Sequence, residues 1–456
     1  MKSLKTTWLL AGIGILSLSC QNSDKTETAT INGPGNTIVP EQYAELMSFS
    51  ESQVTYTPED NPDLAEVKRF ADDHNRFAFQ MFRKLRNADK NLAFSPLSIR
   101  TVFATLYPAT EAGQTPATEF ATGFAFDADF DQNSSLLKSG LDGLANSMSP
   151  TSLEDDPAQY KLVNQLWVDE SLEADPDYLD HIKGYYNAGV GSLPFRTQTE
   201  LSREAVNSFV AVNTEDLIKD LLPEGSIKEN TISVLTNSVY FKAQWQYAFN
   251  QNLTSPSSFQ SLAGETKSVE MMSQQESFEF AETDTEQALS LDYRNAKIAM
   301  IYIQPKDAAN YLSWEDEFDQ EDFSALLEAK SSAETKVSVP KLDMEWGSQS
   351  IKDTLKTMGI ERVFDRDANH FPNLFTEESQ ATLGSVFIDD VFHKTKLIVD
   401  ESGTEAAAAT GIVIGTESAP TEVKTFSVDR PTLFAIYDKV SASILFMGRI
   451  ADPSQK

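Results

Sequence analysis

Four histidines and one cysteine are all this chain offers of the side chains that most often bind metals or attack substrates. His74, His181, His370 and His393 stand at no i, i+4 spacing and H-E-x-x-H does not occur, so no helical metal pair forms from neighbours. G-x-S-x-G is absent, no S-x-x-K sits in a β-lactamase-like context, and Walker-type and dinucleotide glycine fingerprints are missing. Adjacent Asp389 and Asp390 are what 69 acidic residues produce by chance. These residues argue against an enzyme. The unusual chemistry lies in residues 400–418, D-E-S-G-T-E-A-A-A-A-T-G-I-V-I-G-T-E-S.

Four alanines in a row favour helix, but Thr410, Gly411, Ile412, Val413, Ile414 and Gly415 favour extended chain. At period two, Thr404, Ala406, Ala408, Thr410, Ile412 and Ile414 share one face, and none of the six is charged. A segment of this kind is able to live as an exposed loop and also to fit inside a sheet. Large or charged groups on that face would make insertion costly.

Such a segment needs a large sheet to enter, and the rest of the chain supplies the material for one. The chain has 456 residues, 40% of them hydrophobic, enough to bury a substantial core. Its net charge of −32 repels phosphate backbones, which argues against nucleic-acid partners and against a heparin site. The plain reading of that acidity is solubility. Apolar residues from Leu64 to Leu85 fall at helical spacing, with His74 inside the stripe as a packed histidine. Asparagine before proline at Asn61-Pro62 marks the cap and first turn of that helix and the start of the folded part. Strand-like runs follow at 232–241, 297–303, 335–339, 397–399, 432–437 and 443–447. A helix-rich half followed by many strands predicts an α+β domain over 61–456 with a large, mostly antiparallel sheet. No second boundary is visible.

The N-terminus reads as an export signal. Lys2 and Lys5 precede an apolar run over 7–19 that is too short to span a bilayer. Leu16-Ser17-Leu18-Ser19-Cys20 resembles a bacterial lipobox, with Ser17 where leucine is usual. Residues 1–19 are then a signal peptide, Cys20 is lipidated, and residues 20–60 form a flexible acidic spacer. Localisation at the outer membrane or cell surface of a Gram-negative bacterium follows, with plain secretion as the alternative.

Several landmarks, in order, resemble the serpin family. Asn91, Ser95, Pro96, Ser98 and Ile99 fit its N-x-x-x-S-P-x-S-I start of a buried helix. Leu235, Asn237, Tyr240, Phe241, Lys242 and Trp245 fit L-x-N-x-x-Y-F-K-G-x-W, with Ala243 replacing glycine. Phe259, Gly264, Val269, Met271 and Met272 fall on a third motif. Val339-Pro340-Lys341, Met358-Gly359-Ile360, His393-Lys394 and Leu445-Phe446-Met447-Gly448-Arg449 complete the set. Glu401-Ser402-Gly403-Thr404-Glu405-Ala406-Ala407-Ala408-Ala409-Thr410 resembles the hinge of inhibitory members almost residue for residue. Phe209 stands where many members have tryptophan, and Arg430-Pro431-Thr432 replaces H-P-F.

The resemblance implies a serpin fold: about nine helices around three β-sheets, with a large central sheet and an exposed reactive-centre loop. It implies a suicide-substrate inhibitor of serine-type, and possible cysteine-type, proteases, acting as a monomer without cofactor and partnered by its target proteases in a covalent complex. The alternative is a non-inhibitory member serving as substrate, carrier or chaperone. Counting seventeen residues from Glu401 puts the scissile bond at Glu417-Ser418. Ser95, Ser98, Asn237 and His393 are expected to form a buried hydrogen-bonded cluster, Trp245 to pack where the loop enters, and Lys341 to pair with Glu401. The lipid on Cys20 is the only expected contact with a membrane.

Overall fold

The computed structural model describes residues 31–32, 37–87, 89–149, 158–404 and 423–455. Cys20, Glu405 to Thr410 and the Glu417-Ser418 bond lie outside these residues. Among the described residues are ten α-helices, a seven-stranded sheet, a nine-stranded sheet and a two-stranded ribbon.

The first helix, α1 (Leu64–Leu85), buries Val67, Phe70, Ala71, His74, Phe77, Ala78, Met81 and Phe82, as the stripe predicts. Its cap is Asp63, whose carboxylate accepts the Ala65 N–H at 2.7 Å, and not Asn61. Leu64 is half exposed, because the first turn overhangs the body. His74 is fully buried, stacks on Phe70 and donates Nε2–H to the Ile444 carbonyl at 2.7 Å. Helix α2 (Pro96–Leu106) is buried along its whole length. That fits a sequence with no polar face, P-L-S-I-R-T-V-F-A-T-L. Three further helices are α3 (Phe130–Met148), α4 (Pro176–Tyr186) and α5 (Thr199–Asn213).

The seven-stranded sheet contains β1 (Ser48–Phe49), β2 (Gln159–Asp169), β3 (Val190–Leu193), β4 (Ser233–Gln244), β5 (Leu342–Ser350), β6 (Val391–Val399) and β7 (Gly403–Thr404). Their spatial order is β5-β6-β7-β4-β2-β3-β1. In the nine-stranded sheet the C-terminal hairpin, Thr432–Asp438 with Ile444–Ile450, is buried on both faces. The N-terminus of α2 bridges the two sheets. Ser95 Oγ donates to the Leu445 carbonyl at 2.7 Å, and Ser98 Oγ donates to Asn164 Oδ1 on β2 at 3.2 Å.

All six expected strands are present, most of them longer than the expected runs. Strands Gln159–Asp169 and Thr266–Glu282 were not expected. The first lies in the helix-rich half, and the second is studded with polar residues because alternate positions face solvent.

The stretch read as a spacer, 20–60, is not uniform. Val39 and Met47 are buried against Phe195, Phe209 and Val210, and Ser48–Phe49 joins the edge of the seven-stranded sheet. Residues 37–60 therefore belong to the folded body. Ile38, Val39, Tyr43, Leu46 and Met47 supply the apolar side chains that acidic flanks conceal in a composition count.

Candidate functional site

Strands β4 and β6 run parallel and pair along only part of their length. Val391, Phe392, His393 and Lys394 face Leu235, Thr236, Asn237 and Ser238. Continuing that register five residues would set Val399 against Ala243. Instead Thr404 lies between them, paired antiparallel to both. The sheet is a fork: closed at 391–394, and open by one strand at its top, where β7 is wedged.

The wedge is held from several sides. Asp400 Oδ1 accepts the N–H groups of Ser402 and Gly403 at 2.8 and 3.3 Å, and Asp400 N–H donates to the Gly403 carbonyl at 2.9 Å. This turn reverses the chain from β6 into the fork. Gly403 has φ +156°, and a Cβ there would stand 2.1 Å from the Ala243 carbonyl oxygen, so only glycine fits so close to β4. Trp245 donates its backbone N–H to the Ser402 carbonyl at 2.9 Å and its indole N–H to the Asp400 carbonyl at 3.0 Å. Its ring stacks on Tyr293 at 4.6 Å between centroids. The Tyr293 hydroxyl in turn meets Thr404 Oγ1 at 2.6 Å. Burial pushes the Tyr293 phenol well above its ordinary range, so it stays neutral and able to donate.

Glu401 is buried, with Oε2 at 2.8 Å from Lys341 Nζ and Oε1 accepting from Thr254 Oγ1 at 2.8 Å. Burial alone would raise its pKa, but the Lys341 ammonium and the Thr254 hydroxyl outweigh it and hold the carboxyl below the ordinary value.

At the closed end lies a second cluster. Ser95 N–H points at His393 Nε2 at 3.3 Å, and an N–H can only donate. His393 is therefore unprotonated at Nε2 and carries its hydrogen on Nδ1, which donates to Asn237 Oδ1 at 2.5 Å. Asn237 Nδ2 donates to Asn164 Oδ1 at 3.0 Å, and Asn164 Nδ2 donates to the Ser98 carbonyl at 3.3 Å. Ser95 Oγ caps α2 by accepting the Ser98 N–H at 3.2 Å. The chain of bonds ties α2 to β2, β4 and β6 directly under the junction of the fork.

The structure thus brings Ser95, Ser98, Asn237 and His393 into one cluster and Trp245, Lys341, Glu401, Gly403 and Thr404 into another. Sequence reasoning missed Asn164, Thr254, Tyr293 and Asp400. Only an asparagine at the centre of a hydrophobic strand, L-V-N-Q-L-W, signalled any of them. The other two histidines have ordinary polar partners: His181 meets Ser134 Oγ at 2.8 Å and His370 meets the Asp365 carbonyl at 3.0 Å.

Burial holds His393 at about 3, and burial with the nearby Arg100 guanidinium holds His74 at about 3, against an ordinary value of 6.5. Between these values the unfolded chain takes up protons that the folded chain refuses. Stability is therefore full above pH 6.5 and falls as pH drops toward 3, by about 1.4 kcal/mol per pH unit for each histidine. Denaturant unfolding between pH 7.5 and 5 is expected to show this fall, and His393→Gln to make it shallower. Equal slopes for the two proteins would rule out a neutral, buried His393.

Comparison with known proteins adds a sequence relationship. The family profile described as "Serpin (serine protease inhibitor)" matches residues 72–453. An uncharacterized serpin-like protein of Methanosarcina mazei is 31% identical over 406 residues, covering 87% of this chain and 90% of that protein. Human serpin B3 is 31% identical over 398 residues, covering 83% of this chain and 98% of that protein. Among solved structures, the thermophilic serpin tengpin in its native state superposes with a TM-score of 0.76 at 22% identity. That match covers 89% of this chain and all of tengpin.

Proposed function

The chain belongs to the serpin family, and from that premise we propose that it is an irreversible suicide-substrate inhibitor of serine-type proteases. The observation that carries the proposal is the fork: a central sheet already parted by one strand, with the first two residues of the loop seated in the gap. A protease cleaves the loop and is held as an acyl-enzyme at its end. The freed segment then enters the fork as a new strand and drags the protease with it.

The observed register sets where each residue goes. Thr404 faces Val399 and Ala243 antiparallel. Six residues on, Thr410 falls opposite His393, six before Val399, and opposite Asn237, six before Ala243. Insertion therefore reaches the closed end of the fork at the pair Lys394-Ser238, opposite Ala409, and must part it and then His393-Asn237 to seat Thr410. The buried side chain of Thr404 fixes the phase, so Ala406, Ala408, Thr410, Ile412 and Ile414 follow it inward. None of these positions carries a charge. About 17 inserted residues at ~3.3 Å each carry the protease several tens of ångströms. The trap draws on a stored state that is held kinetically.

Within the same reading the scissile bond is Glu417-Ser418, which selects a protease that accepts an acidic side chain. Residues 1–19 direct export, and lipid on Cys20 tethers the inhibitor to the envelope of a Gram-negative bacterium. The test is incubation with glutamate-specific and elastase-like proteases, read on a denaturing gel. A covalent complex and a released peptide beginning at Ser418 are expected. Cleaved chain without complex would mark a protease substrate instead, and a different new N-terminus would move the scissile bond.

A further inference from the structure

Strand β5 carries the one irregularity among the described pairings of the seven-stranded sheet. It pairs residue by residue with β6 from Leu342 opposite Val399 to Gly347 opposite Lys394, then slips by one before Gln349 meets His393. Gly347 has φ +116°, and a Cβ there would stand 2.1 Å from the His393 carbonyl oxygen, so the slip is built on glycine. A bulge of this kind bends its strand off the regular path and re-aims the side chains beside it. Next to it a cavity of about 400 Å³ opens between β5, the loop after α1 and the short helix Lys352–Thr357. That volume lies within the range of small-molecule sites.

Trp346 sets the character of the cavity. Leu342 and Met344 are buried, and alternation turns Trp346 to the same inner face, where its ring lies 5.9 Å from that of His393. The indole nonetheless keeps part of its surface exposed, because the cavity lies against it. Among the described residues nothing accepts its N–H, and the Lys90 ammonium and Thr354 hydroxyl on the same walls are likewise without a protein partner. Glu345 stands beside them, exposed, with Oε1 at 2.9 Å from Lys394 Nζ. Asn87 and Gln455 add amide side chains.

These groups select a class of ligand. Polar side chains outnumber apolar ones on the walls, and a hydrophobic molecule would desolvate them without replacing their bonds to water. One unpaired cation holds a phosphate ester poorly on a chain of net charge −32. No group of carboxylates and histidines among the described residues is placed to hold a metal. A pyranose ring matches the walls: its C–H face lies on an indole, and its hydroxyls both donate and accept. We propose that this cavity binds a sugar, one pyranose ring stacked on Trp346, with Lys90 and Thr354 donating to its oxygens and Glu345 accepting from its hydroxyls. The site is separate from the reactive loop, and the proposal stands whether or not the protein traps proteases.

The full chain is titrated with glucose, N-acetylglucosamine and glucuronate, followed by tryptophan fluorescence and by saturation-transfer NMR of the sugar protons. A saturable response is expected, with a dissociation constant on the order of 1 mM for so small a ligand. Trp346→Phe should abolish the fluorescence change and keep the NMR contact, since a ring still underlies the sugar. Thr354→Arg fills the mouth of the cavity and should weaken binding about tenfold or more. Lys90→Ala, at an exposed position that the fold does not need, should weaken glucuronate more than glucose. Absence of contact for all three sugars overturns the site, as does a fluorescence change that survives Trp346→Phe. Equal affinities for wild type, Thr354→Arg and Lys90→Ala would place the sugar elsewhere and overturn it too. Binding of adenine or inorganic phosphate with no binding of sugar overturns the ligand class.

Discussion

Thr404→Arg is expected to turn the protein from a trap into a substrate. A target protease would cleave the variant and leave, and the denaturing gel would show cleaved chain with almost no covalent complex. Thr404 is 1% exposed, lies between Val399 and Ala243, and reaches the Tyr293 hydroxyl at 2.6 Å. It is the first inward-facing residue of the segment that must enter. A guanidinium there has to be buried without a counter-charge, at a cost of several kcal/mol. Trapping is a race between insertion and hydrolysis of the acyl-enzyme. A barrier higher by about 3 kcal/mol slows insertion roughly 150-fold, and hydrolysis wins.

The intact fold should survive this change, because an arginine at the top of the fork can swing outward with β7. Circular dichroism and tryptophan fluorescence would check that. Thr404→Ser keeps both the size class and the hydroxyl facing Tyr293, and is expected to retain trapping. Titration of residual protease activity gives the stoichiometry of each variant. Equal stoichiometry for wild type and Thr404→Arg would sink the insertion mechanism.

The second large effect is thermal. Cutting the loop between Glu417 and Ser418, or at a neighbouring bond, is expected to raise the unfolding temperature on the order of tens of degrees. Intact protein leaves the open faces of β4 and β6 above Ser238 and Lys394 unpaired with each other. A new central strand from Thr404 onward gains a hydrogen-bond ladder on each side and buries Ile412 and Ile414. A dozen residues at about 1 kcal/mol per net bond on two sides gives a drop on the order of 20 kcal/mol. Scanning calorimetry of intact and cleaved protein measures it directly. Cleaved Thr404→Arg should show little of the gain, which ties the stabilisation to entry of the strand and not to release of loop strain. An unchanged unfolding temperature on cleavage would mean that the fork does not accept the loop.

Much of this was legible before any coordinates. The stripe from Val67 to Phe82 depends on local periodicity and formed as its spacing required, while the buried α2 was implied by the motif at its start. Gly403 was readable as part of the hinge motif, and the structure adds its reason in the approach to the Ala243 carbonyl. The spacer was misjudged because acidic residues at Glu41, Glu45, Glu51 and Glu59 dominate its composition. Burial there is decided by a few apolar side chains that meet β3 and α5.

The sequence by itself determined which residues share one face of a strand, which helix could be buried, and that the stretch 404–416 has no charge at the alternate positions that share the face of Thr404. These are local properties, fixed by backbone period and by side-chain size. Beyond the cluster and the ion pair that the resemblance implied, the tertiary structure alone decided partners. Tyr293 reaches Thr404 across 111 positions, and Ile38 reaches Asn213 across 175. Periodicity names a face but cannot name what lies opposite, because the opposite surface is brought there by the path of the whole chain. The same holds for the fork. Its depth, set where Lys394 and Ser238 stop pairing, is a property of two strands and a wedge together and is written in none of them separately.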